Sequence, residues 1–297
     1  MQIERAFKEI SKTVFWKMQR NDSVEETSLT DEVIDQLRQL NSERLLAIKG
    51  INEKKNGADI EWWIVFPGNS SHNLEAIHMR IQAKRLHLRD KVDHRYKDLD
   101  HKKGKQLKNL IKEAFNIKAI PLYCFYNYYS QTPYSFKKNP VDIDDGWRYA
   151  YAADISKARR TSFSTYDHLS TIDPLTKPVH WLAMLAEKNP RDILAEYAKQ
   201  DGSITLSNLV KDKLPDYVFD ILDSYLYLNG DFFKDKQWFP QIKEVRRKHK
   251  EEKGKRAVSA MIKQMLNNFM TLISFEKIKK KQRHLIITIA EEPMNLD

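Results

Sequence analysis

The chain has 297 residues, of which 41% are hydrophobic and 31% are charged. This composition excludes wholesale disorder and allows one large domain or two of ordinary size. The single cysteine, Cys124, excludes an internal disulfide and every multi-cysteine zinc site. No apolar run reaches the roughly 18 residues of a membrane helix and no signal peptide is apparent, so we expect a cytoplasmic protein without a membrane partner.

The positive charge is concentrated in two segments of the chain, whose overall net charge is +10. Residues 80–118 hold 13 basic and 5 acidic side chains, a net of +8, and residues 243–283 hold 14 and 4, a net of +10. The functional interpretation is a polyanionic partner, most simply a nucleic acid. A solvated, lysine-rich surface explains the same charge equally well.

Hydrophobic periodicity predicts an α/β arrangement over about the first 130 residues. Two helices come first, one over 3–18 and one that begins after Thr30, which is predicted as its N-cap. Three strands then form a meander, with Asn56-Gly57 in the first turn. A helix with an apolar face from Leu107 to Phe115 and a buried strand follow. The four strands are predicted over 45–51, 58–66, 76–86 and 117–128.

The pattern then becomes mostly helical. Strands are predicted only over 146–155 and 285–289. Helices are predicted over 179–187, 190–199, 206–211, 217–228 and, as a long basic helix, 242–268. We therefore divide the chain into an α/β domain over 1–170 and a helical, basic region over 171–297. The second region either packs on the first as one domain or forms a domain of its own.

Polar residues interrupt the second and third predicted strands, although buried strands are usually apolar. Because alternate residues of a strand share a face, Asp59 and Glu61 lie on one face of the second strand. The third strand carries four polar residues on one face: His78, Arg80, Gln82 and Lys84. If the two strands pair, two carboxylates, an amide and an ammonium meet, and a breach of local patterning of this kind is expected at a functional site.

These groups suit the hydrolysis of a phosphodiester. Mg²⁺ takes oxygen ligands from one or two carboxylates and from water, and Asp59, Glu61 and the Gln82 carbonyl can supply such ligands. The metal lowers the pKa of a bound water and neutralises charge on the phosphate. The Lys84 ammonium can stabilise the developing charge or position the attacking water.

Asp59, followed by Gln82-Ala83-Lys84 at the end of the next strand, resembles the PD-(D/E)xK nuclease superfamily in its (E/Q)xK form. The resemblance covers residues 22–128, and it implies a restriction endonuclease-like core of helix, three strands, helix and strand. It also implies that Asp59 and Gln82 bind the metal and that Lys84 is the catalytic lysine. Glu26 matches the acidic residue of the first core helix, and Gln106 matches a further site position on the helix after the motif.

The sequence departs from the family pattern at two positions. The usual proline before the aspartate is Ala58 here, and the second metal ligand is an amide rather than a carboxylate. The second departure predicts a weaker metal site unless Glu61 contributes to it. His78 shares the face of Gln82 and Lys84 and is predicted to lie beside the ligands.

Each candidate residue also has a structural explanation. Asp59 follows Asn56-Gly57 and could be a turn residue, and Glu61 could face solvent on a half-exposed sheet. Lys84 could begin a solvated charge run. Glu26 could serve only the helix end, and Gln106 could flank an apolar stripe.

The sequence thus predicts a Mg²⁺-dependent endonuclease, with Mn²⁺ as an alternative metal, that acts on DNA rather than RNA in defence or DNA processing. Cutting both strands would need two sites and so favours a homodimer. The residues expected to contact phosphates are Arg80, Arg85, Lys102, Lys103, Lys105, Arg246, Arg247 and Lys248. The alternatives are a non-catalytic nucleic-acid-binding module on the same fold and an RNA-cleaving toxin.

Overall fold

The computed structural model describes residues 3–21, 23–40, 44–49, 58–67, 74–89, 93–96, 99, 101–128, 146–200, 209–212, 214–228, 247 and 284–290. These residues form a mixed sheet with helices packed against it, which confirms the predicted α/β class. No helix in the described ranges is long and apolar enough to cross a membrane.

The described part of the chain contains nine strands and eight α-helices. The strands are β1 (Leu45–Lys49), β2 (Ile60–Pro67), β3 (Leu74–Arg89), β4 (Asp93–Tyr96), β5 (Ile120–Tyr126), β6 (Trp147–Tyr151), β7 (Lys177–Pro178), β8 (Val210–Lys211) and β9 (His284–Ile289). The helices are α1 (Ile3–Arg20), α2 (Glu26–Gln39), α3 (His101–Asn116), α4 (Ala152–Thr161), α5 (Leu169–Ile172), α6 (Val179–Lys188), α7 (Pro190–Gln200) and α8 (Asp216–Leu228). A short 3₁₀ helix, Asp173–Leu175, follows α5.

The sheet is built around β3, its longest strand, with the order β1-β9-β2-β3-β5-β6-β7. β3 is antiparallel to β2 and parallel to β5, and β2 is parallel to β9. β4 and β8 pair with opposite ends of β3, outside this main order. β3 therefore lies between two strands where β2 is present and loses that neighbour where β2 ends.

Apolar side chains cover both faces of the central strands. On one face Phe7 of α1 stacks between Trp62, at 5.1 Å, and Trp147, at 5.4 Å. On the other face Trp63 lies in a cluster to which α8 contributes Val218, Phe219 and Leu222. Because large aromatic rings bury much apolar area, these two layers fix β2 and β3 firmly in the core.

The predicted start of the second helix is wrong. α2 begins at Glu26, and Thr30 is a buried residue inside it rather than its N-cap. The Thr30 hydroxyl donates to the Glu26 carbonyl oxygen at 3.0 Å and accepts from the Tyr126 hydroxyl at 3.0 Å. Its hydrogen bonds are thus satisfied within the helix, so it does not need to cap the helix end.

The predicted three-strand meander is also wrong, because β9 lies between β1 and β2. β9 is buried along its whole length, and its Thr288 hydroxyl accepts a hydrogen bond of 2.9 Å from the indole N–H of Trp62. The two partners are 226 residues apart. Parts of both predicted regions, 1–170 and 171–297, therefore belong to one sheet.

Smaller differences concern element ends. The strand predicted over 146–155 ends at Tyr151, where α4 begins, and the helix predicted over 206–211 is replaced in its described part by β8. Phe115 is 74% exposed rather than on the apolar face of α3. The Asn56-Gly57 turn and the long basic helix, apart from Arg247, lie outside the described residues.

Candidate functional site at the end of strand β2

The site begins where β2 ends and β3 continues alone. Asp59 directly precedes β2, and its backbone N–H donates to the carbonyl oxygen of Ile81 at 2.8 Å. Ile81 also pairs with Ile60, so two consecutive residues oppose one, as in a β-bulge. A bulge of this kind re-aims a side chain, and here it brings the Asp59 carboxylate to the edge of β3 that β2 no longer covers.

The Asp59 carboxylate is bound to β3 by two donors. Its Oδ2 accepts the backbone N–H of Ala83 at 2.7 Å and the side-chain amide of Gln82. The same Gln82 nitrogen lies 3.4 Å from the Ala83 carbonyl oxygen. Asp59 and Gln82 are both buried, yet the Gln82 Oε1 has no hydrogen-bond partner among the described residues. An unsatisfied buried acceptor of this kind costs about 1–3 kcal/mol, so it calls for a functional explanation.

A second carboxylate reaches the same edge from α2. Glu26 Oε2 accepts the backbone N–H of Arg85 at 3.2 Å, and Glu26 Oε1 lies 3.4 Å from the Lys84 ammonium nitrogen. The Arg85 guanidinium donates to the Val24 carbonyl oxygen and lies against His87. These contacts fasten the beginning of α2 to β3, 58 residues further along the chain.

The two carboxylates replace the missing strand. The N–H groups of Ala83 and Arg85 point to the same edge of β3, because residues two apart on a strand share an orientation. Asp59 takes the first and Glu26 takes the second. Asp59, Gln82, Lys84 and Glu26 are called the edge cluster below. The sequence predicted both carboxylates as site residues. It did not predict that Glu26 lies at the beginning of α2, because that helix was expected to begin only after Thr30.

Glu61 belongs to a second group on the same face, one pair further into the sheet. It pairs with Arg80 across the two strands, and its carboxylate lies 3.9 Å from Arg80 Nε and 3.6 Å from His78 Nε2. Tyr217 of α8 donates its hydroxyl to the same carboxylate at 3.3 Å. The His78 ring stacks on Trp63 with centroids 4.0 Å apart. Glu61, His78, Arg80 and Tyr217 are called the inner cluster below.

Burial and polar contacts have opposite effects on the pKa values of Glu61 and His78 in the inner cluster. Burial alone would raise the pKa of Glu61, but His78, Arg80 and Tyr217 outweigh it and hold that pKa below its ordinary value. Burial lowers the pKa of His78 in spite of the neighbouring Glu61. The inner cluster at neutral pH is therefore a carboxylate held between a guanidinium, a neutral imidazole and a hydroxyl.

The predicted phosphate-contacting residues fall into three groups. Arg80 and Arg85 are buried in the contacts given above, whereas Lys105 and Arg247 are exposed. Lys105, Lys108 and Lys112 are all exposed on α3 at helical spacing and form one basic face. The side chains of Lys102 and Lys103, and the whole of Arg246 and Lys248, lie outside the described residues.

Gln106 is half-buried on α3, and its Oε1 has no partner in the described ranges.

Asp59, Gln82 and Ala83 carry oxygens of the kind that hard divalent cations bind. Within the described residues no three His, Cys, Asp or Glu side chains come together as a metal site. However, the Gln82 amide nitrogen lies between the Asp59 carboxylate and the Ala83 carbonyl oxygen. A half-turn of the amide would direct its unpartnered oxygen to that position, so that one carboxylate and two neutral oxygens converge. Mg²⁺ is commonly held by one or two carboxylates, and its remaining ligands are waters.

The comparisons with known proteins assign the chain to a family without assigning an activity. Residues 3–281 match the model of a family described as "Family of unknown function (DUF6615)". The chain belongs to this family. Neither a curated protein nor a solved structure matches it. A function for this family member must therefore be inferred from the chemistry of its own residues.

Proposed function

We propose that this family member is a cytoplasmic, metal-dependent endonuclease of restriction endonuclease-like fold, and that DNA is its main substrate. The observation that carries the proposal is the edge cluster, because three distant segments contribute two carboxylates, an amide group and an ammonium to one edge of β3. The element order supports the fold, since α2, β1, β2, β3, α3 and β5 follow one another as helix, three strands, helix and strand, with only the short β4 added.

Asp59 and Gln82 would hold the metal, with the Ala83 carbonyl oxygen beside them. A bound Mg²⁺ would supply positive charge for the scissile phosphate and would acidify water. Asp59 also keeps its bond to the Ala83 N–H, which fixes the carboxylate against β3. Glu61 is not a metal ligand in this proposal, because its carboxylate already contacts His78, Arg80 and Tyr217.

Lys84 would stabilise the transition state. Its side chain is 5% exposed, and burial strengthens the interaction between its ammonium and the charge that grows on the phosphate. Glu26 would position the ammonium, because its carboxylate contacts Lys84 while it is anchored by the backbone N–H of Arg85. An anchored partner keeps a long, flexible lysine side chain at a defined place, which electrostatic catalysis requires.

The basic face of α3 would contact the phosphate backbone. Lys105, Lys108 and Lys112 are exposed, and nucleic acids bind such residues with a salt dependence of about 0.9 per neutralised phosphate on duplex DNA. These contacts give affinity without base specificity. We therefore expect the logarithm of the binding constant to fall linearly and steeply with the logarithm of the salt concentration.

The test is a Mg²⁺-dependent cleavage assay on plasmid, linear duplex, single-stranded DNA and RNA. Lys84→Ala should reduce the cleavage rate by about 100-fold or more, as loss of one electrostatic donor typically does. Its affinity for uncut DNA should change little, because many other basic residues contact the phosphates. The matched control is Lys177→Ala, which removes a strand lysine that pairs with helical Glu196 at 2.8 Å. This control should cleave at the rate of the wild type.

Two results would contradict the proposal. If Lys84→Ala and the wild type cleave at the same rate, Lys84 is not catalytic. If the wild type cleaves no nucleic acid with Mg²⁺ or Mn²⁺, but binds nucleic acids with the salt dependence described above, the chain is a nucleic-acid-binding module. Cleavage of RNA alone would instead identify the RNA-cleaving alternative.

A further inference from the structure

Tyr123 lies beside the edge cluster on the neighbouring strand. In the parallel pairing of β3 with β5, Tyr123 is the partner of Gln82, and Phe125 is the partner of Lys84. Paired residues of adjacent strands share a face, so the Tyr123 ring lies next to the Gln82 side chain. The ring is fully buried and stacks on Phe125 with centroids 5.9 Å apart, while Tyr96 packs edge-on against Phe125 at 4.6 Å. The position of the ring is therefore fixed by packing.

The hydroxyl at the end of this ring has no hydrogen-bond partner among the described residues. Buried tyrosine hydroxyls usually find one, and leaving one unpaired costs about 1–3 kcal/mol. The neighbouring Gln82 Oε1 is unpaired as well. One group is a donor and the other an acceptor, and they do not bond to each other. A phosphate together with its cation would satisfy both, since the phosphate accepts from the hydroxyl and the cation binds the amide oxygen.

The electrostatics connect this hydroxyl to the edge cluster. Burial raises the pKa of Tyr123 far above its ordinary value, and the nearby Tyr166 and Glu26 raise it further. The hydroxyl thus keeps its proton at neutral pH, and it is a neutral donor. Glu26 is the same carboxylate that contacts Lys84, so both groups lie within the field of one side chain.

We propose that the Tyr123 hydroxyl donates a hydrogen bond to a non-bridging phosphate oxygen of the nucleic acid bound at the edge cluster. This inference rests on the proposed nuclease function and adds a residue to it that belongs to no motif of the sequence. Lys84 and Tyr123 then contact the same phosphate from adjacent strands. The Lys84 ammonium would provide positive charge, and the Tyr123 hydroxyl would orient the phosphate.

The test compares two substitutions that each delete only one buried hydroxyl. Tyr123→Phe should lower kcat for Mg²⁺-dependent cleavage about 10-fold, with little change in KM, because the bond strengthens as charge grows on the phosphate. The control is Tyr149→Phe on β6. Tyr149 is also buried, and its hydroxyl has no hydrogen-bond partner in the described part of the chain, but it pairs with Cys124 and so faces the other side of the sheet. This control should cleave at the rate of the wild type.

Both variants should melt at or slightly above the temperature of the wild type, since each removes an unpaired buried polar group. Equal kcat values for Tyr123→Phe and the wild type, with Lys84→Ala inactive, would overturn the inference and leave the nuclease function standing. An equal loss in the two phenylalanine variants would also overturn it, because the effect would then not depend on the site. Absence of cleavage by the wild type would remove the nuclease function and this inference with it.

Discussion

The inner cluster and the edge cluster lie next to each other on the same two strands, and their carboxylates are held in different ways. In the inner cluster the Glu61 carboxylate is surrounded by side chains, two from β3 and one from α8. In the edge cluster the carboxylates of Asp59 and Glu26 are each bound by one backbone N–H group and one side chain of β3. The Gln82 oxygen there is left without a partner among the described residues.

The difference shows how one polar strand face can serve two purposes. Where β2 and β3 pair, charged residues compensate one another and connect the sheet to α8. Where β2 ends, charged residues take over the backbone hydrogen bonds of a strand and leave atoms that can bind a ligand. We therefore expect substitutions in the edge cluster to change activity and substitutions in the inner cluster to change stability. The four predictions below test this separation, from the largest expected effect to the smallest.

Asp59→Asn should abolish Mg²⁺-dependent cleavage, with a loss of about 1000-fold or more, because one carboxylate carries much of the charge that attracts the metal. Asparagine keeps a side-chain oxygen that can accept the Ala83 N–H, so the melting temperature should stay close to that of the wild type. Excess Mn²⁺ should restore part of the activity, because carbonyl oxygens and water, which remain as ligands, also suit Mn²⁺. Cleavage and melting are measured on the same preparation, and full activity in Mg²⁺ would rule out Asp59 as a metal ligand.

Glu61→Gln should reduce the free energy of unfolding by about 3 kcal/mol, because it leaves the buried Arg80 without its carboxylate. Below the new melting temperature, the cleavage rate per folded molecule should stay within about twofold of the wild type. Denaturant unfolding and a cleavage assay at low temperature give the two values. A loss of cleavage with unchanged stability would move Glu61 into the metal site.

Glu26→Gln should lower the cleavage rate about 10-fold, because the amide can still accept the Arg85 N–H but no longer attracts the Lys84 ammonium. The free energy of unfolding should change by less than about 1 kcal/mol, since the pair is partly exposed on the Glu26 side. Affinity for uncut DNA serves as the readout that must stay unchanged. A rate equal to that of the wild type would show that Glu26 acts only at the beginning of α2.

The smallest expected effect is the pH dependence of the inner cluster. The pKa of His78 is lower in the folded chain than its ordinary value of about 6.5, so the unfolded chain takes up the proton first as the pH falls. Stability should therefore decrease from pH 7 to pH 5, by about 3 °C in melting temperature. The lowered pKa of Glu61 adds a loss of the same sign below about pH 4.5.

The control for this pH effect is His78→Phe, which keeps a ring against Trp63 and removes the titration. Its melting temperature should depend less on pH over the same window. A wild-type melting temperature that rises toward pH 5, or the same slope in both proteins, would contradict the interpretation.

Much of the candidate site could be predicted from local sequence patterns. The alternation of residues in the second and third predicted strands identified Asp59, Gln82 and Lys84, because a strand places alternate side chains on one face. The pairing of these strands then follows from their closeness in the chain. Glu26 was predicted from the family resemblance, as the acidic residue of the first core helix, and the structure brings its carboxylate to Lys84.

The parts that could not be predicted depend on contacts over long sequence distances. No local pattern indicates that β9 inserts between β1 and β2, or that Tyr217 reaches Glu61 over 156 residues. The start of α2 was missed because Thr30 is a good N-cap residue whose hydroxyl is instead satisfied by Tyr126. The closeness of Tyr123 to Gln82 depends on the pairing of β3 with β5, which no local pattern indicates.

The most direct test of the metal site is a calorimetric titration of the full chain with Mn²⁺. We expect at least one bound ion in the wild type and in Lys84→Ala, and a much weaker affinity in Asp59→Asn, which would bind Mn²⁺ only when the metal is in excess. Lys84→Ala should thus separate metal binding from catalysis, because its metal ligands remain. Failure of the folded wild type to bind Mn²⁺, or equal binding by Asp59→Asn, would contradict the claim that the edge cluster is a metal centre.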